Sequence, residues 1–176
     1  MAGIDTRAVF DELAPEWLAG LDGAELEEGR TLLAEIVDDW AREADSTPDP
    51  GAVLTIQREE LQTAGAGRDA AGRLAALRAR ALTRRVEHLS AETFALGRAI
   101  LDGSATDPDA RDHGRRLLDE AERLGAALRD APELQSARRE LSDAVMEALY
   151  AVERQAMSPR LARATGAPGG PPDLRA

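Results

Sequence analysis

The stretch that decides the fold is residues 108–157, PDARDHGRRLLDEAERLGAALRDAPELQSARRELSDAVMEALYAVERQAM. Apolar residues recur in it at steps of three and four, which places one apolar stripe on each of two helices. The first series is Leu117, Ala121, Leu124 and Leu128, and the second is Leu134, Leu141, Val145, Ala148, Val152 and Ala156. The break at Asp130-Ala131-Pro132 has room only for a tight turn. The stretch therefore predicts an antiparallel helical hairpin whose apolar seam the first hundred residues must cover.

Four further segments upstream show helical spacing or helix-start signals. We predict a short helix after Asp5, interrupted at Pro15, and a second short turn from Pro15 to Leu21. A long helix should follow Asp22, with Glu25 completing a capping box. Residues 50–63 favour a helix over a strand at 53–56, because polar and apolar residues do not alternate there. The next helix starts at residue 68 or 69 and runs to Leu89, where it either continues to Asp102 or restarts at Ser90.

The predicted fold class is all-α. We expect one antiparallel bundle of four to five main helices over residues 1–157, built on the C-terminal hairpin, with short N-terminal helices. Residues 158–176 hold four prolines, three glycines and only two leucines. That composition predicts a flexible Pro/Gly-rich tail.

Charge and composition restrict the function classes. The formal net charge is −11, which argues against broad affinity for nucleic acid or anionic membranes. All 22 basic residues are Arg, a bias that we interpret as bacterial codon usage. The absence of cysteine excludes disulfides, thiolate nucleophiles and Cys-ligated zinc. With neither a signal peptide nor a membrane span in the sequence, a cytoplasmic protein is expected.

An arginine cluster is the first candidate site. Its members are Arg68, Arg73, Arg78, Arg80, Arg84 and Arg85, set against one acid, Asp69. Arg73, Arg80 and Arg84 share a helical stripe that could bind phosphate, an acidic partner or RNA. Residues 22–45, however, carry nine acids and two arginines. We therefore favour ion pairing within the protein and expect no nucleic-acid binding.

Other chemistry-bearing residues form no recognisable catalytic pattern. His88 lacks the basic and glycine positions of a phosphotransfer module, and His113 with Asp109 offers only two metal ligands. The segment Gly65-Ala66-Gly67 has neither the preceding strand nor the Lys of a nucleotide loop. No pair of acids is set among apolar residues, as a catalytic pair would require. The sequence predicts no catalytic, cofactor-binding or metal-binding residue.

Two apolar surfaces are candidates for contact with other proteins. Phe10 and Trp17 either close the end of the bundle, which we favour, or form an aromatic docking patch. In the last helix, Met146, Leu149 and Tyr150 widen the apolar face beyond one seam, so self-association or partner binding is expected there. The candidate partner-binding residues are Phe10, Trp17, Arg73, Arg80, Arg84, Met146, Leu149 and Tyr150.

The sequence thus favours a non-enzymatic adaptor or accessory protein that binds another protein through amphipathic helix faces. This interpretation is partly by elimination. One alternative is a helical-bundle enzyme with buried Arg and Glu, which would need a buried polar pocket. The other is a regulator that responds to anions or nucleic acid through the helix over residues 68–85, which would need its arginines exposed.

Overall fold

A computed structural model describes residues 4–102, 104–105, 107–131 and 133–164. These residues form six helices and no strand, which confirms the all-α prediction. The helices are α1 (Thr6–Trp17), α2 (Gly23–Asp45), α3 (Pro50–Gly65), α4 (Ala70–Leu101), α5 (Asp107–Arg129) and α6 (Gln135–Ala164). The strand alternative at residues 53–56 is wrong, because these residues lie inside α3.

The chain divides into two compact units, and the boundary falls between Arg84 and Arg85, inside α4. The first unit holds α1, α2, α3 and the first half of α4. The second holds the rest of α4, with α5 and α6. The arrangement of all the helices in a single antiparallel bundle built on a hairpin stays a prediction.

Aspartate side chains cap the starts of three helices. At the start of α4, Asp69 accepts a hydrogen bond from the backbone N–H of Gly72 at 2.8 Å. The side chains of Asp5 and Asp49 accept hydrogen bonds from the backbone N–H groups of Ala8 and Ala52, each at 3.1 Å. Asp22 occupies the corresponding position of α2, but its side chain makes no capping hydrogen bond, so the capping box predicted there does not form.

Two predicted helix ends are wrong. Pro15 lies within α1 rather than interrupting it; it falls in the last turn, and Leu18 still donates to the carbonyl of Ala14 at 3.0 Å. At the other end of the chain, α6 continues past Met157 to Ala164. The segment Arg160-Leu161-Ala162-Arg163-Ala164 consists of strong helix formers, which the average composition of the tail conceals. Residues 165–176 lie outside the described part.

The sequence left open whether the helix before Ser90 continues or restarts there. The structure resolves this, since α4 is continuous through Ser90.

The first unit has a core built from all four of its helical segments. Trp17 and Trp40 are its largest fully buried side chains. The other members include Val9 and Leu13 of α1, Leu33, Ile36 and Val37 of α2, Leu61 of α3, and Ala76, Leu77 and Ala81 of α4. The backbone of Gly65 lies directly against the indole of Trp17. A methyl group on Gly65 would lie only 2.7 Å from Cη2 of that ring, so α3 can approach Trp17 this closely only with glycine.

In the second unit, α5 and α6 pack against each other. The predicted positions of α5, Leu117, Ala121, Leu124 and Leu128, are buried, and Ala110 in the first turns of the helix is buried as well. On α6 the prediction is only partly right, because the buried side chains are Ala137, Leu141, Ala144 and Ala148, while Leu134 and Val145 are half-buried. The side chains of Val152 and Ala156 lie outside the described residues. Over residues 135–150 the buried face of α6 therefore consists mainly of alanine.

We expect Gly65→Ala to destabilise the first unit by about 1–3 kcal/mol, because the added methyl group overpacks the contact with Trp17. Gly51→Ala is the matched control in the same helix. A methyl group there meets only the Asp49 carboxylate at an ordinary 3.6 Å, and alanine favours helix, so its effect should be neutral or stabilising. Urea unfolding of both variants measures the difference. If Gly65→Ala and Gly51→Ala were equally stable, that result would contradict the close contact between Gly65 and Trp17.

Candidate partner-binding surface

The outward face of α6 carries a stripe of large apolar side chains. Met146, Leu149 and Tyr150 are 64%, 40% and 57% exposed. Their spacing of three and four residues places them side by side over about one helical turn. In the described residues the other exposed large apolar side chains are Ile56 and Phe94, which lie on different helices. We call Met146, Leu149 and Tyr150 the α6 stripe.

This stripe lies on the side of the helix opposite to the buried alanines. At 100° per residue, the direction of the stripe is roughly 160° from the mean direction of Ala137, Leu141, Ala144 and Ala148. The large apolar side chains therefore take no part in the seam through which α6 packs. This differs from the predicted widening of one apolar face, since α6 has two separate apolar faces, one buried and one exposed.

A groove of about 430 Å³ runs between α5 and α6 beside the stripe. Leu128, Leu141 and Val145 contribute to its walls, and Met146 belongs both to the groove and to the α6 stripe. Gly125 widens the groove because it places no side chain there. The apolar surface available to a partner therefore extends from the stripe onto the flank of the α5–α6 pair.

Arg138 joins the start of α6 to the end of α5. Its guanidinium donates hydrogen bonds to the backbone carbonyls of Leu128, at 3.0 Å from Nε, and Arg129, at 3.3 Å. These carbonyls belong to the last turn of α5, where no N–H group of the helix itself reaches them, and that of Leu128 also accepts from the backbone N–H of Ala131 at 3.2 Å. The contact helps to hold α6 beside α5.

The N-terminal aromatics belong to the first unit's core, which is the alternative that the sequence favoured. Trp17 is only 1% exposed, and Phe10 is partly buried against the same core. The ring of Trp17 is thus inaccessible to a partner. Part of Phe10 remains at the surface, in two shallow clefts between α1 and α2.

The arginine stripe of α4 is engaged within the first unit. Arg84 lies 2.7 Å from Glu43 of α2, and Arg80 lies 2.7 Å from Glu60 of α3. Gln57, which is buried, accepts a hydrogen bond from Arg80 and donates one of 3.0 Å to Glu43. The five side chains thus form one connected network across α2, α3 and α4.

The other two arginines of interest have different partners. Arg73 donates to the backbone carbonyls of Ala19, at 2.5 Å, and Arg68, at 2.9 Å, rather than to a carboxylate as predicted. Arg78 forms a bidentate pair with Glu28, with nitrogen–oxygen distances of 2.6 and 2.7 Å. The hydrogen bonds from Arg78 lower the pKa of Glu28. The internal pairing predicted from the opposite charges of residues 22–45 and 68–85 is therefore present at Arg78 and Arg84, whereas Arg80 pairs with Glu60 of α3, outside the predicted acidic segment.

A polar cleft of about 480 Å³ in the second unit collects both histidines of the chain, a convergence that sequence spacing did not indicate. His88 and Glu92 come from α4, and His113 and Arg116 from α5. The Nε2 atom of His113 lies 3.7 Å from the carboxylate of Glu92. Among the described residues, no group of three or more His, Asp or Glu is arranged to hold a metal ion.

Comparisons with known proteins add no functional information. No protein-family model, no curated protein and no solved structure matches the chain at a significant level. Within its described ranges, no helix combines the length and the apolar character needed to cross a membrane.

We expect Glu28→Gln to destabilise the protein by less than about 1 kcal/mol at pH 7, because both partners of the ion pair with Arg78 are half exposed. Hydrogen bonds from Arg78 lower the pKa of Glu28 on folding, so its contribution is fully present above the ordinary pKa of an unfolded glutamate and is lost as the pH falls through the lower pKa of the folded state. The difference between wild type and variant should therefore disappear on acidification.

The measurement is urea unfolding at a series of pH values from neutral to acidic. Glu27→Gln is the matched control, because Glu27 is an exposed neighbour on the same helix whose carboxylate makes no contact with a described residue. If the stability difference between wild type and Glu28→Gln grew on acidification, that result would contradict a pKa of Glu28 that is lowered by folding.

Proposed function

We propose that this protein is a non-enzymatic adaptor or accessory protein, active in the cytoplasm, that binds protein surfaces through the outward face of α6. The observation that carries the proposal is the α6 stripe: Met146, Leu149 and Tyr150 are all exposed on one face. Scattered apolar residues are normal at a surface, whereas a contiguous group on one rigid helix is typical of a binding site.

The distribution of side chains over α6 supports the proposal. Burying one Leu or Met side chain stabilises a fold by about 1.5–3 kcal/mol, so a helix selected only for stability would place these residues in its seam. Among the described side chains of α6, three of the four buried ones are alanines, whereas Met146, Leu149 and Tyr150 face solvent. An external surface that covers the stripe would recover this stabilisation on binding.

The residue types of the stripe also fit a binding surface. Tyr and Met are enriched in protein interfaces, Tyr because it combines a large apolar area with a polar hydroxyl, and Met because its flexible side chain adapts to different partners. If α5 and α6 form the predicted antiparallel hairpin, the stripe and the adjoining groove make one continuous surface on a well-packed support.

The polar cleft that holds both histidines does not supply the buried polar site of the enzyme alternative, because the side chains of His113 and Glu92 on its walls are 39% and 63% exposed. An enzyme with buried Arg and Glu would need polar groups left available for substrate. Instead, Arg80 and Arg84 contact Glu60, Gln57 and Glu43 of the same unit. A regulator that used these arginines for nucleic acid would first have to break those contacts, and the net charge of −11 would oppose its approach.

The test is site-specific photo-crosslinking in living cells of the native host. A photoreactive phenylalanine analogue replaces Tyr150 in one variant and Ile56, an equally exposed residue of α3, in the control variant. We expect covalent protein adducts from position 150 and few or none from position 56, because only position 150 lies on the α6 stripe.

A second variant tests the stripe by mutation. Met146→Ser, Leu149→Ser and Tyr150→Ser combined should leave the helical circular dichroism unchanged, since the side chains are exposed, and should abolish adducts from a photoreactive residue at Ser142, on the edge of the same face. Adducts that are equally abundant at positions 150 and 56, or that survive the triple change, would overturn the proposal.

A further inference from the structure

The outward face of α6 carries opposite charges at equal distances from its centre. Arg139 precedes Met146 by seven residues and Glu153 follows it by seven. Seven residues make nearly two helical turns, so the three side chains project in almost the same direction. Arg139 and Glu153 are both exposed, and neither makes an ion pair with another described residue.

A two-fold axis through Met146 would make this face complementary to itself. When a second α6 lies antiparallel against the first, Arg139 of each copy comes opposite Glu153 of the other, and the two Met146 side chains meet at the axis. The two ion pairs are about 21 Å apart at 1.5 Å per residue over the fourteen residues from 139 to 153. They would therefore close both ends of the apolar stripe.

From this we infer that the surface covering the α6 stripe is a second copy of the same chain, bound antiparallel with Met146 at the two-fold axis. The inference rests on the proposed function, of which it names the partner. An isologous contact is the one kind that requires a surface to complement itself, whereas a different protein places no such requirement on the positions of Arg139 and Glu153.

The flanks of the face are compatible with the same two-fold axis. On one flank, Asp143 and Tyr150 are seven residues apart and lie on opposite sides of the axis. The carboxylate of Asp143 in one copy therefore faces the aromatic ring of Tyr150 in the other. On the opposite flank, Ser142 faces Leu149 in the same manner. No like charges come opposite each other, as a stable symmetric contact requires.

The contact is formed by one helix from each copy, so its buried area lies at the low end for specific interfaces. A reversible dimer follows, and the net charge of −11 on each chain disfavours it at low ionic strength. Physiological salt limits this repulsion, since the Debye length is then about 8 Å.

Sedimentation equilibrium of the full chain at physiological salt, from about 10 µM to about 1 mM protein, measures the association. Wild type should dimerise. Arg139→Glu and Glu153→Arg should each weaken the dimer by about tenfold, because each places like charges together at both ends of the stripe. The double variant Arg139→Glu/Glu153→Arg restores opposite charges and should return to within about threefold of wild type.

Arg115→Glu is the control, because it makes the same change of net charge at an exposed position of α5. It should leave the dimer nearly as strong as in wild type. A wild-type chain that stays monomeric, a double variant as weak as the single ones, or an equal effect of Arg115→Glu would overturn the inference.

Crosslinking separates this inference from the proposed function. An adduct from position 150 of twice the chain mass supports the second copy. Adducts from that position to other proteins only would overturn the inference and leave the proposed function standing. Absence of any adduct from position 150 would remove both.

Discussion

The close packing of α6 through small side chains is the constraint from which the surface properties of the second unit follow. Three of the four buried residues that define its seam are alanines, which allow the helix to approach its neighbours closely. A glycine of α4 makes a similarly close contact, since a methyl group on Gly97 would lie 3.0 Å from the carboxylate of Glu147. Met146, Leu149 and Tyr150 lie outside this seam, on the outward face.

The first unit differs from α6, because its largest side chains are buried in the core. There, two tryptophans fill the core, and the charged residues at its edge pair with one another across α2, α3 and α4. These ion pairs are partly exposed and contribute little stability individually, but their geometry restricts how the helices can be aligned. Gln57 strengthens that restriction, because a buried amide must satisfy both its donor and its acceptor. Arg80 and Arg84 of α4 therefore help to position α2, α3 and α4 relative to one another.

Much of this organisation could be predicted from the sequence, because it depends on local periodicity. Apolar spacing identified all the long helices, and the four positions predicted to be buried in α5 are buried. Charge counts predicted that arginines of α4 pair with acids of α2, which holds for Arg78 and Arg84 but not for Arg73 or Arg80. The boundaries at Pro15 and Met157 were misplaced. A proline in a last turn removes little hydrogen bonding, and averaging over a tail conceals a short run of helix formers.

The sequence by itself determined the helical class, the positions of the main helices and the presence of surplus apolar residues in α6. Only the tertiary structure decided which of the two apolar faces of α6 is buried, that Arg73 binds carbonyls while Arg80 and Arg84 bind carboxylates, and that both histidines meet in one cleft. The physical reason is the same in each case. Periodicity places a side chain on a face of its own helix, whereas burial and pairing depend on which other helices approach that face, and how closely.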